Sequence, residues 1–189
     1  MDRFESVEDQ MHARLAETMS FVEEKRRELL DSLEGIPGER LCRREAADRW
    51  SVAEILDHLR MVESGIARLI TKRVGQAKEA GIGEETATDS VMPSFDRHAH
   101  KLESSILVSP QAVVPKANVD ISEALDGLAS SREALRAAVV SANGVPLGEI
   151  KHTHPVLGEL DLYQWLIFVG QHEGRHRKQI DRTLKSIPQ

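Results

Sequence analysis

The sequence predicts an all-α protein, a four-helix bundle made by one domain over residues 1–189. Three observations predict it. Four stretches carry apolar residues at three- and four-residue spacing with charges between them. Aromatic residues are only 4% and Pro totals 7, whereas Ala, Leu, Glu and Arg are plentiful, a balance that favours helix over sheet. The chain is short for two domains, yet with 40% apolar and 30% charged residues it has enough apolar side chains for one core.

The first helix is expected from about Phe4 to Leu33, through Val7, Met11, Leu15, Met19, Val22 and Leu29. Gly35, Pro37 and Gly38 break it, and a polar stretch runs on to Trp50. Ser51 and Glu54 make an S-x-x-E capping box for the second helix, with Trp50 and Ile55 placed as its hydrophobic staple. Its inward stripe is Ile55, His58, Val62, Ile66 and Leu69, and its end is expected at Gly75, Gly81 and Gly83. Between Gly83 and Val119 the pattern is irregular, with a short helix near Phe95 to Leu102 and an extended stretch through Pro110 and Pro115; such a long connection is often functional or a crossover. The third helix, from about Ser122 to Val140, turns Leu125, Leu128, Leu135 and Val139 inward. Asp161 and Gln164 cap the fourth, with Leu160 and Trp165 as its staple, and its stripe reads Leu162, Trp165, Val169, His172, His176, Ile180 and Leu184 before it ends near Pro188.

Lys and Arg number 25 against 31 Asp and Glu, a net charge of -6 that matches phosphate backbones poorly, so no nucleic-acid partner is expected. Cys42 is the only cysteine, which excludes an intrachain disulfide and a cysteine-held cluster. Met1 to Gln10 is polar and the longest clean apolar run is Trp165 to Val169, so neither a secretory leader nor a membrane span is expected. A reducing, cytoplasmic setting follows as the expectation.

His172 and His176 lie one helical turn apart on one face, in register with Val169 and Ile180, and His58 is likewise in register with Ile55 and Val62 on another helix. A lone core-facing histidine is ordinarily bonded to a carbonyl or a carboxylate. Three of them on two helices would need several separate hydrogen-bond solutions, whereas one divalent cation engages all three. His172-Glu173-Gly174-Arg175-His176 also spells H-E-x-x-H, in which Glu serves zinc proteases as a general base. No His or Glu follows His176, so a protease reading lacks its third ligand. Glu173, turned about 100° from His172, remains the candidate catalytic base, with a solvated or supporting carboxylate as the alternative.

Trp50-Ser51-Val52-Ala53-Glu54-Ile55-Leu56-Asp57-His58, then His154-Pro155, then Leu162 to Phe168 running into His172-Glu173-Gly174-Arg175-His176 and Gln179-Ile180, resembles the DinB-like (DinB/YfiT) superfamily over nearly the whole chain. The resemblance implies a bundle of up-down-down-up order and three His ligands for one divalent metal, often nickel or zinc, at positions matching His58, His172 and His176. It also implies a metal-dependent enzyme: relatives include S-transferases and an isomerase that use low-molecular-weight thiols, and others described as hydrolases. Where the family commonly carries a further His near the last ligand, this chain has Arg175. A homodimer is expected on the same ground.

A three-imidazole ion keeps its charge and an open position, so a thiol or a water beside it loses its proton near neutral pH. The expected function is therefore a thiol-dependent transferase or a hydrolase acting on a small molecule. The rival is a non-catalytic bundle in which the metal staples two helices or the fold serves as a dimerisation or stress-response module. Other candidates are weaker. His152 and His154 are read mainly as turn-stabilising residues near a pocket mouth, His98 and His100 as exposed, and His12 as unpartnered. Cys42 lies near Arg40, Arg43 and Arg44 without an evident base, and Arg175, Arg177, Lys178, Arg182 and Lys185 are read as a solvated cationic face near the end of the fourth helix.

Overall fold

A computed structural model describes residues 11–104 and 110–187. Four long helices dominate: α1 (Ala13–Asp31), α3 (Val52–Glu79), α5 (Ile121–Ser141) and α6 (Leu162–Ser186). Two short helices, α2 (Gly38–Leu41) and α4 (Asp96–Ser104), lie in the connections. The chain is a four-helix bundle, with α3 packed along α5, α1 along α6, and α3 also against α6.

Both predicted capping boxes are present. Ser51 Oγ accepts from Glu54 N while Glu54 accepts from Ser51 N, and Asp161 and Gln164 repeat the exchange at α6. Glu54 also binds Arg44 and accepts from the backbone N–H of Asn118 at 2.9 Å, so one buried carboxylate starts α3 and ties two connectors to it. Burial alone would raise its pKa, but Arg44 and the N–H groups of Ser51 and Asn118 hold it below the usual range.

Four details differ from the sequence reading. Helix α1 begins only at Ala13, with His12 as N-cap and the chain before Met11 outside the described residues. Helix α3 runs through Gly75 and stops before Gly81, whose φ of 77° is the left-handed turn a glycine permits. Leu125, expected inward, is exposed, and its neighbour Ala124 is buried instead. The stretch before α6 is a β-hairpin, β1 (Lys151–His154) paired antiparallel with β2 (Gly158–Asp161), in which His154 lies opposite Gly158. Strands this short leave no run of alternation to read, and Asp161 ends the second of them while capping α6.

The core is in two apolar parts. One gathers Val22, Ile66, Leu135 and Val169; the other gathers Leu29, Leu59, Leu128 and Ile180. Along the chain α1 and α6 pass from the first part to the second, and α3 and α5 from the second to the first. Between the parts each long helix contributes one buried charge: Arg26, Glu63, Arg132 and Glu173. Glu173 Oε1 accepts from Arg26 Nη2 at 2.6 Å and Arg132 Nη2 at 2.9 Å, while Glu63 accepts from Arg26 Nη2 at 2.9 Å, Arg132 Nε at 2.7 Å and Ser131 Oγ. Two positive and two negative groups make the layer neutral, which is what lets it be buried.

Candidate metal centre

His58 from α3 and His172 and His176 from α6 meet beside this layer, all three buried. His172 Nε2 lies 3.4 Å from His58 Nε2 and 3.1 Å from His176 Nε2, and one ligand atom from each ring falls within 4.8 Å of the others. The outer edges of two rings are held. His58 Nδ1 is 2.7 Å from the Val113 carbonyl, and His176 Nδ1 is 2.9 Å from Gln179 Oε1. An acceptor at Nδ1 requires the proton there and leaves the Nε2 lone pair facing inward. The Val113 carbonyl comes from the Pro-punctuated connector, so that segment orients a ring of the site.

The donor set fits a divalent ion. Nitrogens about 2.0–2.1 Å from a tetrahedral ion stand roughly 3.3 Å apart, close to the spacings here. The Nε2 lone pairs of His58 and His176 both face His172 Nε2, where a shared proton or a cation brings the three nitrogens together. Burial drives His172 well below its ordinary pKa, with His176 and His58 adding to the effect, and pushes His176 down to about 3; burial lowers His58 too, against the pull of the Val113 carbonyl. Neutral imidazoles are the form that ligates metal. Among the described residues no fourth His, Cys, Asp or Glu joins the group.

The three rings line a pocket of about 1050 Å³. One wall is aromatic without interruption: Trp50 lies 5.2 Å from His58 between ring centres, Phe168 stacks 5.1 Å from His172, and His154 lies 4.7 Å from Phe168 and 5.0 Å from Trp165. Val62, Leu69, Val113 and Val156 add apolar surface, and Arg60, Arg68 and Arg175 add cations. Arg175, read from the sequence as part of a solvated face, is half-buried and donates to the Leu102 carbonyl.

Glu173 stands elsewhere. It does not line the pocket, and its Oε1 is taken by Arg26 and Arg132 in the charged layer. Burial raises its pKa, although Arg26 and Arg132 pull it down. A proton on Oε2 would find no acceptor, since that buried oxygen has no hydrogen-bond partner. The three N–H donors converging on Oε1 therefore favour the carboxylate.

His152 and His154 both line the pocket, and His154 also braces the hairpin turn, so it serves in both places the sequence reading weighed. His98 corrects that reading: it is buried, packed on Phe95, and accepts from Arg97 Nε, while His100 is exposed as expected. Cys42 is exposed in its connector. Sequence reasoning missed Arg26, Glu63 and Arg132. Arg26 and Arg132 left a trace in the seven-residue steps from Val22 to Leu29 and from Leu128 to Leu135, each a gap in an apolar stripe that an inward charge fills; Glu63, next to Val62, left none.

Comparison with known proteins gives three findings. A sequence profile of the DinB superfamily matches residues 22–180. The uncharacterized protein YuaE of Bacillus subtilis (strain 168) is 30% identical over 176 residues, covering 89% of this chain and 98% of that protein. Among solved structures, TT2238, described as a four-helix bundle protein, aligns with a TM-score of 0.56 at 20% identity over 89% of this chain and 98% of its own.

Proposed function

The chain belongs to the DinB superfamily, and from that premise we propose that it is a metal-dependent enzyme whose His58, His172 and His176 hold one divalent ion for a thiol-transfer or hydrolytic reaction on a small molecule. The observation that carries the reading is the arrangement of the ring edges: Nδ1 of His58 and of His176 is tied outward, to Val113 and Gln179, and the Nε2 atoms face one another. First-row affinities for nitrogen donors favour nickel or zinc over manganese.

When bound, such an ion supplies the positive charge that lowers the pKa of a low-molecular-weight thiol or a water beside it. The chain's own residues do the rest. Val113 and Gln179 hold two rings in their working tautomer, and Trp50, Phe168 and Trp165 give the pocket an apolar wall beside those rings. A catalytic site needs an open position and a structural site a closing fourth ligand. Three candidate ligands beside a large pocket support the enzyme over the staple.

The test is metal analysis of protein purified without chelators or a polyhistidine tag, then titration with nickel and with zinc, then a screen for thiol transfer to electrophiles. About one ion per chain is expected. No metal above background and no uptake of either ion would overturn the reading.

A further inference from the structure

His154 has a feature its neighbours in the pocket lack. Its Nδ1 accepts from two backbone groups, the N–H of Val156 and that of Leu157, each at 3.1 Å. A nitrogen receiving two N–H donors carries no proton of its own, so the ring's single proton lies on Nε2. A second proton would point Nδ1–H at two other hydrogens. Burial, with His98 and Lys101 nearby, accordingly pushes His154 down to about 4. The ring is also fixed in place, packed against Trp165 and Phe168. Because the Nδ1 edge is turned into the hairpin, the Nε2 edge is the one left to the pocket that His154 lines. No described group accepts its hydrogen bond, and Nε2 is not among the sealed, unpartnered polar atoms.

We propose that His154 is a substrate-positioning residue: a neutral imidazole of fixed tautomer whose Nε2–H grips a carbonyl-type oxygen of a ligand with a flat or apolar body. The body of that ligand lies along Trp165 and Phe168. Phe168 stacks in turn on His172, so a molecule held this way has its oxygen-bearing end one ring away from the three-histidine cluster. This rests on the pocket being the active site, as proposed above, and it names the class of molecule the pocket takes: amides or esters with an aromatic or aliphatic group. A fixed neutral donor suits an uncharged carbonyl, and being unable to yield its proton near neutral pH it orients the substrate and does not act as a general acid.

The test uses ring-nitrogen NMR of the full-length 15N-labelled chain at pH 7, first without metal and then with one equivalent of zinc, with benzamide and toluene as probes. His154 should show the Nε2–H tautomer in the free protein. Benzamide should move its Nε2 resonance, and toluene, with the same ring and no acceptor, should not. His154→Phe should weaken benzamide about 5- to 10-fold, the worth of one hydrogen bond, and leave toluene within twofold. An Nδ1–H tautomer, benzamide titrated to its solubility limit without a shift at Nε2, or equal losses for the two probes would overturn the proposal. Should the Phe variant fail to fold, the wild-type titration decides alone. Failure of zinc to bind would count against the metal reading and leave the metal-free His154 result standing.

Discussion

Replacing Glu173 by Gln separates two roles the residue has been given, a base serving the metal site and a member of the buried charged layer. Its Oε1 takes three N–H groups: Arg26 Nε at 3.0 Å, Arg26 Nη2 at 2.6 Å and Arg132 Nη2 at 2.9 Å. Without the carboxylate, Glu63 is the one fully buried anion left to Arg26 and Arg132; Glu23, 3.2 Å from Arg132 Nη1, is a third exposed and shared with Arg136, so it offsets the second buried guanidinium only in part. Breaking a buried ion pair from one side costs about 3–5 kcal/mol. For a chain of this size each kcal/mol lowers the melting temperature by roughly 2–4 °C, so a drop of roughly 6–20 °C is expected. Thermal unfolding of metal-free protein, followed by circular dichroism, measures it. Removing one charge of each sign, in Arg132→Met with Glu173→Leu, leaves the neutral pair of Arg26 and Glu63. The double variant should therefore be less destabilised than the sum of its singles by on the order of 2 kcal/mol. A Gln variant melting within about 2 °C of wild type, or strict additivity in the double variant, would refute the argument and return Glu173 to the candidates for catalysis.

His58→Ala removes one of three nitrogens from a helix still started by Ser51 and Glu54, so calorimetric titration should find nickel and zinc binding weakened more than about 100-fold with helical content kept; affinity within tenfold of wild type would remove His58 from the site. Metal-free protein should lose stability in acid. His154 is held at about 4, below the 6.5 of an unfolded histidine, so the unfolded chain takes up its proton first and the stability present above pH 6.5 is lost as pH falls towards 4. His154 alone accounts for about 2 kcal/mol of that by pH 5, and His176, held at about 3, adds to the loss in the same direction. A melting temperature unchanged between pH 7 and pH 5 would contradict this. At Gly170 a Cβ would come within 2.6 Å of Phe21 Cε1, where α6 passes α1. Overpacking of about 1–3 kcal/mol should outweigh the gain of about 1 kcal/mol that Ala brings to a helix. Gly170→Ala should therefore melt lower than wild type, and in a Phe21→Ala background the same change should raise the melting temperature.

The long helices were legible because each carries an apolar stripe and two of them, α3 and α6, a capping box as well, and the three histidines because they sit in the stripes of those two. Register along one helix says which face a residue takes, and facing inward was enough to bring His58 to His172 and His176. It does not say which inward residue on another helix it meets. Glu173 shows this: H-E-x-x-H places it beside His172, but its carboxylate is claimed by Arg26 and Arg132, far away in sequence. For His154 the sequence offers a turn role and, second to it, a place at the pocket mouth, and the hairpin fold shows that one ring takes both. Val113 was invisible as a functional group because its contribution is a backbone carbonyl, which any residue type carries.

The charged layer also discriminates among alternative alignments of the bundle. Leucine-rich faces tolerate one helix sliding along another by a turn, about 5.4 Å, because one apolar contact replaces another at little cost. Here such a slide in any of the four long helices would carry a guanidinium or a carboxylate into Leu29, Leu128 or Leu135 and strand its partners. Each helix has one height at which its charge is matched. His172 is the residue next to Glu173, so the height that satisfies Arg26 and Arg132 is also the height at which His172 stands level with His58.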